Sequence, residues 1–314
     1  MEPCWQPATH GVPYTCGLHN ESRIKCPAAG RVNSGRLPLF CDVTLAARIE
    51  RAEAQLIADG SRAARRRRAD TAGFVITIAG GVASFAEQDS PFNKIAGLGF
   101  GGVPNSAALE EIEHRFADCA SPVQVELCHL ADPAFGALLT GRGYELASFE
   151  NVLGLALDDV GRPVAPPGIE IRLSGEDELE SWLDVVVEGS LHPDSQGLAQ
   201  HDEFAREALE RAERDLAAVA GITRYIALRD GAVAGGASFH IAGGIAQFTG
   251  AATVPEHCRR GIQTALLSAR LAAAAAAGCD ISVITTPPGS KSQQNAQRQG
   301  FDLLYTRAVL VRQP

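Results

Sequence analysis

The stretch Gly250-Ala-Ala-Thr253-Val254-Pro255-Glu256-His257-Cys258-Arg259-Arg260-Gly261-Ile262-Gln263-Thr264-Ala265-Leu266-Leu267 decides the reading of this chain. An apolar strand ends at Val254-Pro255, a short polar turn follows, and a helix opens around two arginines and Gly261. The first N–H groups of a helix have no partner within it, and the aligned peptide dipoles leave positive charge at that end. Two cationic side chains beside such an end make a site for a diphosphate. Apolar residues then recur at Ile262, Ala265, Leu266, Ala269 and Ala273, one buried stripe at helical period, and Gly278 stops the helix.

Upstream, the Pro- and Gly-rich run Asp158–Gly168 reads as a linker before the strand Ile169–Leu173. Two amphipathic helical stretches follow, near Asp177–Gly189 and Asp202–Ala220. Thr223–Arg229 and Ala232–Ile241 alternate as a hairpin around Asp230-Gly231, and a third strand runs Ile245–Val254. Downstream come a strand Asp280–Thr285, a short helix from Ser292 and a closing pair of strands from Phe301. The order β-α-α-β-β-β-α-β-α-β-β is an α/β (α+β) plan.

The first half repeats the end of this pattern. The stretch from Ala96 to Val103-Pro104 parallels the strand reaching Val254-Pro255; a helix and a strand (Val123–Leu127 against Ile281–Ile284) follow in both. Arg142-Gly-Tyr-Glu-Leu-Ala-Ser-Phe-Glu-Asn-Val-Leu153 aligns without a gap on Gln299-Gly-Phe-Asp-Leu-Leu-Tyr-Thr-Arg-Ala-Val-Leu310. The first copy differs where chemistry would sit: Asn105 or Ser106 can cap its helix, and Glu110, Glu111 and Glu113 follow where an anion would have to approach. Residues 38–160 therefore read as a degenerate copy without a cofactor, and 168–314 as the functional domain.

A net charge of −9 over 314 residues argues against a general nucleic-acid binder. Arg62 and Arg65–Arg68 close an Ala-rich helical pattern from about Val43 to Ile57, where cations suit the carbonyl end. Eight cysteines carry no CxxC pair; Cys4, Cys16 and Cys26 with His10 and His19 fit no standard zinc spacing, so reduced cytoplasmic thiols and no metal are expected. No run of 18 apolar residues exists, so no membrane span is expected. Residues 1–37 lack periodicity and read as a disordered extension. There is no Walker loop. Gly97-x-Gly99-x-x-Gly102 matches the bare dinucleotide spacing but precedes Val-Pro and an acidic helix instead of opening one on its last glycine.

On these residues the second half, about 168–314, resembles the GNAT superfamily of acyl-CoA-dependent N-acyltransferases, which implies tandem GNAT-like domains with the first degenerate. The family's pyrophosphate motif, Arg/Gln-x-x-Gly-x-Gly/Ala, falls on Cys258, Gly261 and Gln263; only the central glycine matches, with Arg259 and Arg260 next door. The resemblance implies acetyl-CoA as co-substrate, held by Thr253, Val254, Arg259, Arg260, Gly261, Ile262, Gln263 and Thr264. Asn295 of Ser292-Gln-Gln-Asn295 would lie near the pantetheine arm. The family's proton-donating Tyr falls on Ala296, leaving Tyr305 as a substitute in type but not in position.

Acyl transfer to an amine needs a neutral nucleophile, a donor for the thioester oxygen and a proton for the leaving sulfur. The N–H of Val254, at a splayed strand end, is the candidate donor for the thioester carbonyl, with Thr253 and Val254 the candidates for that edge. Gln247 and Thr249 on the third strand are not bases. Glu256 is the candidate catalytic carboxylate, with His257 beside it. His192 and Asp194, between the two early helices, are candidates for the acceptor site, and His240 reads as a strand histidine. The expected activity is acetyl transfer from acetyl-CoA to a primary amine of a small molecule or peptide, by a cytoplasmic monomer or homodimer without nucleic-acid or membrane partners. The alternatives are a silent acyl-CoA sensor, which Cys258, Gln263 and Ala296 suggest, and a structural tandem scaffold.

Overall fold

The computed structural model describes residues 37–69, 72–158, 160–161, 163, 165–192 and 204–314; Pro38–Pro314 form one body. Asp42 accepts the Leu45 N–H at 2.8 Å and starts helix α1, Val43–Arg68. The helix runs past Ile57, where the periodicity places its end, because Ala63 and Ala64 continue its buried face; Arg65–Arg68 then occupy the last turn, where Arg67 pairs with Asp215 and Glu87 and Arg68 donates to Ala86 O. Strands β1 (Phe74–Ile78), β2 (Gly81–Phe85) and β3 (Lys94–Ala96) follow, then α2 (Ser106–Asp118), β4 (Val123–Cys128), α3 (Ala134–Gly141) and β5 (Glu145–Ala156). The strand expected to reach Val103-Pro104 stops at Ala96. Gly97, Gly99 and Gly102 have φ of 76°, 91° and 86°, outside the extended region, so the glycine run is a loop.

The second half contains β6 (Ile169–Leu173), α4 (Leu179–Leu191), α5 (Arg206–Ala217), β7 (Ile222–Arg229), β8 (Ala232–Ala242), β9 (Ile245–Thr253), α6 (Ile262–Ala276), β10 (Ile281–Thr286), α7 (Lys291–Arg298) and β11 (Asp302–Arg312). This is the expected order, except that the closing pair is the single strand β11. Asp230 and Gly231 both take positive φ, 52° and 82°, as a two-residue turn matched to strand twist requires.

The strands form one sheet in the order β1-β2-β3-β4-β11-β5-β10-β9-β8-β7-β6. Leaving out β6, the order reads alike from either end. The pairs β3–β4 and β9–β10 are parallel, and β4–β11, β11–β5 and β5–β10 are antiparallel. The last strand of each half is thus inserted into the other: β11 pairs with β4, and β5 with β10. The repeated landmarks coincide too. Gly143 and Gly300, each just past a helix end, have φ of 85° and 93°, and Tyr144 and Phe301 behind them are buried.

Three apolar clusters follow this plan. One, around Phe74, Phe85, Ile112 and Phe116, lies in the first half; one, around Phe239, Phe248, Leu267 and Phe301, lies in the second and takes in Leu155 of the inserted β5. A third joins Ile49 of α1 to Val152, Ile245, Ile281 and Tyr305 between them. The faces of the second half are set by adjacent glycines on β8. A Cβ on Gly235 would meet Ile262 of α6 at 2.7 Å, and one on Gly236 would meet Trp182 of α4 at 3.1 Å. Neighbouring strand residues point to opposite faces, so α6 covers one face and α4 the other.

Candidate active site

Strands β9 and β10 pair over only three positions, Ile245–Gln247 against Ile281–Val283, while β9 continues to Thr253 and β10 to Thr286. The two strands part there and open a cleft of about 1230 Å³. One wall is built by α6 and α7 through Gln263, Thr264, Leu267, Ser292, Asn295 and Ala296. The other is built by Asp184 and Glu188 of α4 and His192 at its C-terminal cap, with Arg206 of α5 and Glu53 of α1.

Helix α6 begins at Ile262, one turn later than the arginines suggested, with Gly261 as its N-cap at φ 89°. No side chain caps it, so its first-turn N–H groups keep their donors. Arg259, at φ 60°, and Arg260 are exposed in the preceding turn and form no ion pair among the described residues. Gly261 owes its identity to more than an approaching ligand: its φ suits glycine, and a Cβ there would meet Pro166 Cγ at 2.8 Å. Gln263 donates from Nε2 to Thr253 Oγ1 at 2.9 Å, tying the first turn of α6 to the end of β9. Ile262 is buried beneath it.

The expected role of Val254 requires correction. Its N–H donates to Ala234 O at 3.0 Å and is not free. Val254 and Ala234 form a hydrogen-bonded antiparallel position, so the next pair, Thr253 with Gly235, turns its backbone groups away from β8. The N–H directed at the open side therefore belongs to Thr253. Ser290, not Ser292, caps α7, accepting the Gln293 N–H at 3.1 Å; Ser292 and Asn295 line the cleft.

The remaining candidates separate. Glu256 is exposed in the turn Pro255–His257 and does not line the cleft. Tyr305 is 2 % exposed and donates to Glu50 Oε1 at 2.7 Å, inside the joint between the halves and away from the cleft. Its hydroxyl is pushed well above its ordinary pKa by burial and the Glu50 charge, which suits a structural donor. His192 lines the cleft, its Nδ1 3.0 Å from Glu188 Oε1; Asp194 lies outside the described residues, as do Cys4, Cys16 and Cys26. His240 is buried on β8 opposite Gln247, and burial lowers its pKa. Among the described residues no group of His, Cys, Asp or Glu is disposed to hold a metal.

Three charged groups near the cleft carry no signal in the local sequence: Arg270 is buried, and Glu53 and Glu213 are half-buried. Glu53 Oε2 accepts from Gln247 Nε2 at 2.8 Å across 194 residues of chain. Arg270 of α6 donates from one guanidinium nitrogen to the carbonyls of Ser238 (3.0 Å) and Thr249 (3.3 Å), beside the register shift between β8 and β9, and lies 4.6 Å over the Phe248 ring. Burial pulls its pKa down to about 9, so it remains charged at pH 7. Glu213 of α5 faces Gly250 with one carboxylate oxygen buried and unpartnered, and burial pushes its pKa up to about 7.

The acetyltransferase (GNAT) family profile matches residues 190–301, spanning α5, the β7–β9 meander, α6, β10 and α7. Residues 190–301 form a GNAT domain. No curated protein matches the chain. Among solved structures, a GCN5-related N-acetyltransferase from Kribbella flavida is 18% identical with a TM-score of 0.60, covering 83% of this chain and 95% of its own. A tandem GNAT protein from the clavulanic acid biosynthesis pathway is 14% identical with a TM-score of 0.54, covering 88% and 97%. A GCN5-related N-acetyltransferase from Sphaerobacter thermophilus is 16% identical with a TM-score of 0.52, covering 88% and 95%. At these identities the likeness is one of fold, and it extends the tandem GNAT plan over both halves. The GNAT domain's family is one of acyltransferases, so the uncapped α6 start and the parted β9–β10 pair belong to an acyl-transfer fold.

Proposed function

We propose that this protein is an N-acetyltransferase that takes an acetyl group from acetyl-CoA and delivers it to a primary amine. The observation that carries the reading is the conjunction of parted strands with a helix start lacking any side-chain cap, beside two unpaired arginines among the described residues. A diphosphate fits that start: the N–H groups of Ile262, Gln263 and Thr264 supply donors, and Arg259 and Arg260 supply charge. Asn295 and Thr253 flank the path along the cleft where an acyl-pantetheine arm would run, with the Thr253 N–H aimed at the open side. When bound, acetyl-CoA supplies the acyl group. The chain's own residues hold it, orient the acceptor and move protons.

The two units are best divided as 38–160 without a cofactor site and 168–314 with one. A cytoplasmic setting accords with the low metal and disulfide potential of the sequence; among the described residues no helix is long and apolar enough to cross a membrane. Glu256 and Tyr305 lose their place in the catalytic reading to groups on the cleft wall. The test is titration calorimetry of the full chain with acetyl-CoA. One site per chain is expected, with affinity greatly reduced in Gly261→Glu and in the double variant Arg259→Glu/Arg260→Glu. Unchanged affinity in the double variant, which alters only exposed side chains, would remove the assignment.

A further inference from the structure

The buried charge at the joint between the halves does not balance. Four carboxylates, Glu50 and Glu53 of α1, Glu126 of β4 and Glu150 of β5, surround two cations, Lys94 of β3 and Arg307 of β11. Arg307 is 1 % exposed and reaches Glu50 at 2.7 Å, Glu150 at 3.5 Å, Glu126 at 3.7 Å and Glu53 at 3.8 Å, while Lys94 meets Glu126 at 2.5 Å. Fully ionised, the group would hold two surplus negative charges around the buried Arg307, Glu50 and Glu126, with the half-buried Glu53 and Glu150 only partly screened by water, which favours either bound protons or a further cation. Burial and the neighbouring Glu126 push the Glu150 carboxyl up to about 7, and burial raises Glu53 also, with Glu126 and Glu50 adding to the rise against Arg307 and Lys94.

Of these six groups only Glu53 lines the cleft. It is held at Gln247, the last β9 residue paired with β10, so its carboxylate stands where the two strands part. Gln247 Oε1 is buried there without a hydrogen-bond partner, a second acceptor beside the first. Two acceptors and surplus negative charge at the apex of a cleft match an ammonium group. We propose that Glu53, delivered by the first half of the chain, binds the acceptor as a cationic primary amine at this apex and takes its proton before acyl transfer. The inference rests on the acyltransferase reading and names its acceptor and its base.

The protons and bonds balance as follows. The ammonium gives one proton to the Glu53 carboxylate, leaving a neutral amine. Its lone pair forms the C–N bond to the thioester carbonyl carbon as the C–S bond breaks. The nitrogen loses its second proton, the departing sulfur gains one, and Glu53 returns its own to water. The net change is ammonium plus thioester to amide, thiol and one proton. This assigns the first half a chemical task in the second half's site, although the first half has no cofactor site in our reading.

Glu53→Gln in the full chain tests this, because the amide oxygen can keep the Gln247 hydrogen bond while losing the ionisation. Acetyl-CoA affinity is measured by calorimetry. Coenzyme A release is followed from pH 5.5 to 9 with alkyl diamines, amino alcohols and amino-acid amides, and with the corresponding alcohols as neutral controls. The wild type is expected to acylate amines with a rate that rises as Glu53 deprotonates, above the ordinary carboxylate range. Glu53→Gln should keep acetyl-CoA affinity within about twofold and lose about 10²–10⁴-fold in kcat together with that rising limb. Glu53→Asp, which keeps the charge, should retain the limb at reduced rate and carries the test should the Gln variant fail to fold. Wild-type rates and limb in Glu53→Gln, turnover of alcohols only, or acetyl-CoA binding without acylation of any amine would each overturn the inference. Failure of the wild type to bind acetyl-CoA would instead bring down the acyltransferase reading beneath it, and the first titration separates the two.

Discussion

Helices α2 and α6 follow the same Val-Pro step in the two halves, yet α2 opens on Asn105, whose side chain accepts the Ala108 N–H at 2.7 Å, while α6 opens on Gly261 with no cap across its first turn. The carboxylates of α2 sort themselves differently from a simple acidic screen. Glu110 and Glu111 are exposed, but Glu113 turns inward between Arg142 (2.9 Å) and Arg312 (2.5 Å). Although burial raises its pKa, hydrogen bonds from both arginines hold it below the usual range. At α2 the nearby cation is engaged by the chain itself: Arg142 donates to Ser106 Oγ in the first turn at 2.8 Å and to Glu113, whereas Arg259 and Arg260 at α6 form no ion pair among the described residues. A copied backbone plan becomes a ligand site or a scaffold according to whether the chain satisfies its own helix-end donors.

The largest expected effect tests whether the two halves are one unit. Arg307→Met should leave Glu50 buried against other carboxylates and lower stability by about 3–5 kcal/mol, read as a large fall in melting temperature. A small change would mean that the exchanged strands hold the halves together without this ion cluster. Next comes Glu213, a half-buried carboxylate with one oxygen buried and unpartnered, in contrast to the paired Glu113 of the first half. Its folded pKa of about 7 lies above the ordinary 4.5, so its favourable protonated state is fully available at low pH and is lost as pH rises through 7. Glu213→Gln should therefore raise the melting temperature at pH 8 by the equivalent of up to about 3 kcal/mol and leave it nearly unchanged at pH 4. Equal stabilisation at both values would show that charge is not the cause.

Smaller again is the electrostatic part of the α6 site. Arg259→Glu alone should weaken acetyl-CoA by roughly ten- to hundredfold, about 1.5–3 kcal/mol for a charged hydrogen bond, with more loss at low than at high salt. The smallest effect belongs to the opposite helix start. Asn105→Ala should cost about 1 kcal/mol by thermal unfolding and leave acetyl-CoA stoichiometry at one per chain. A second site appearing in that variant would mean that the cap, and not the surrounding surface, is what closes the first half.

These experiments need the full chain, because a fragment ending near residue 160 keeps β4 and β5 but loses β11, the strand that lies between them. That is where sequence and structure part company. The Gly143-Tyr144 and Gly300-Phe301 match correctly exposes two copies of one plan, but gives no sign that each copy donates its last strand to the other. Pairing partners in a sheet are chosen by edges brought together in space, and β5 and β11 have similar apolar patterns that fit either neighbour.

The sequence by itself determined the order of elements, the two-residue turn at Asp230-Gly231, the copy in the first half and the helix start at Gly261. Each is written in a few neighbouring residues through period, φ preference or capping chemistry. Only the tertiary structure decided that Val254 spends its N–H on Ala234, that Tyr305 belongs to Glu50 across 255 residues, and that Glu53 of the first half stands in the second half's cleft. A hydrogen bond or an ion pair between distant segments depends on burial and strand register, and neither is encoded in the spacing of the residues that make it.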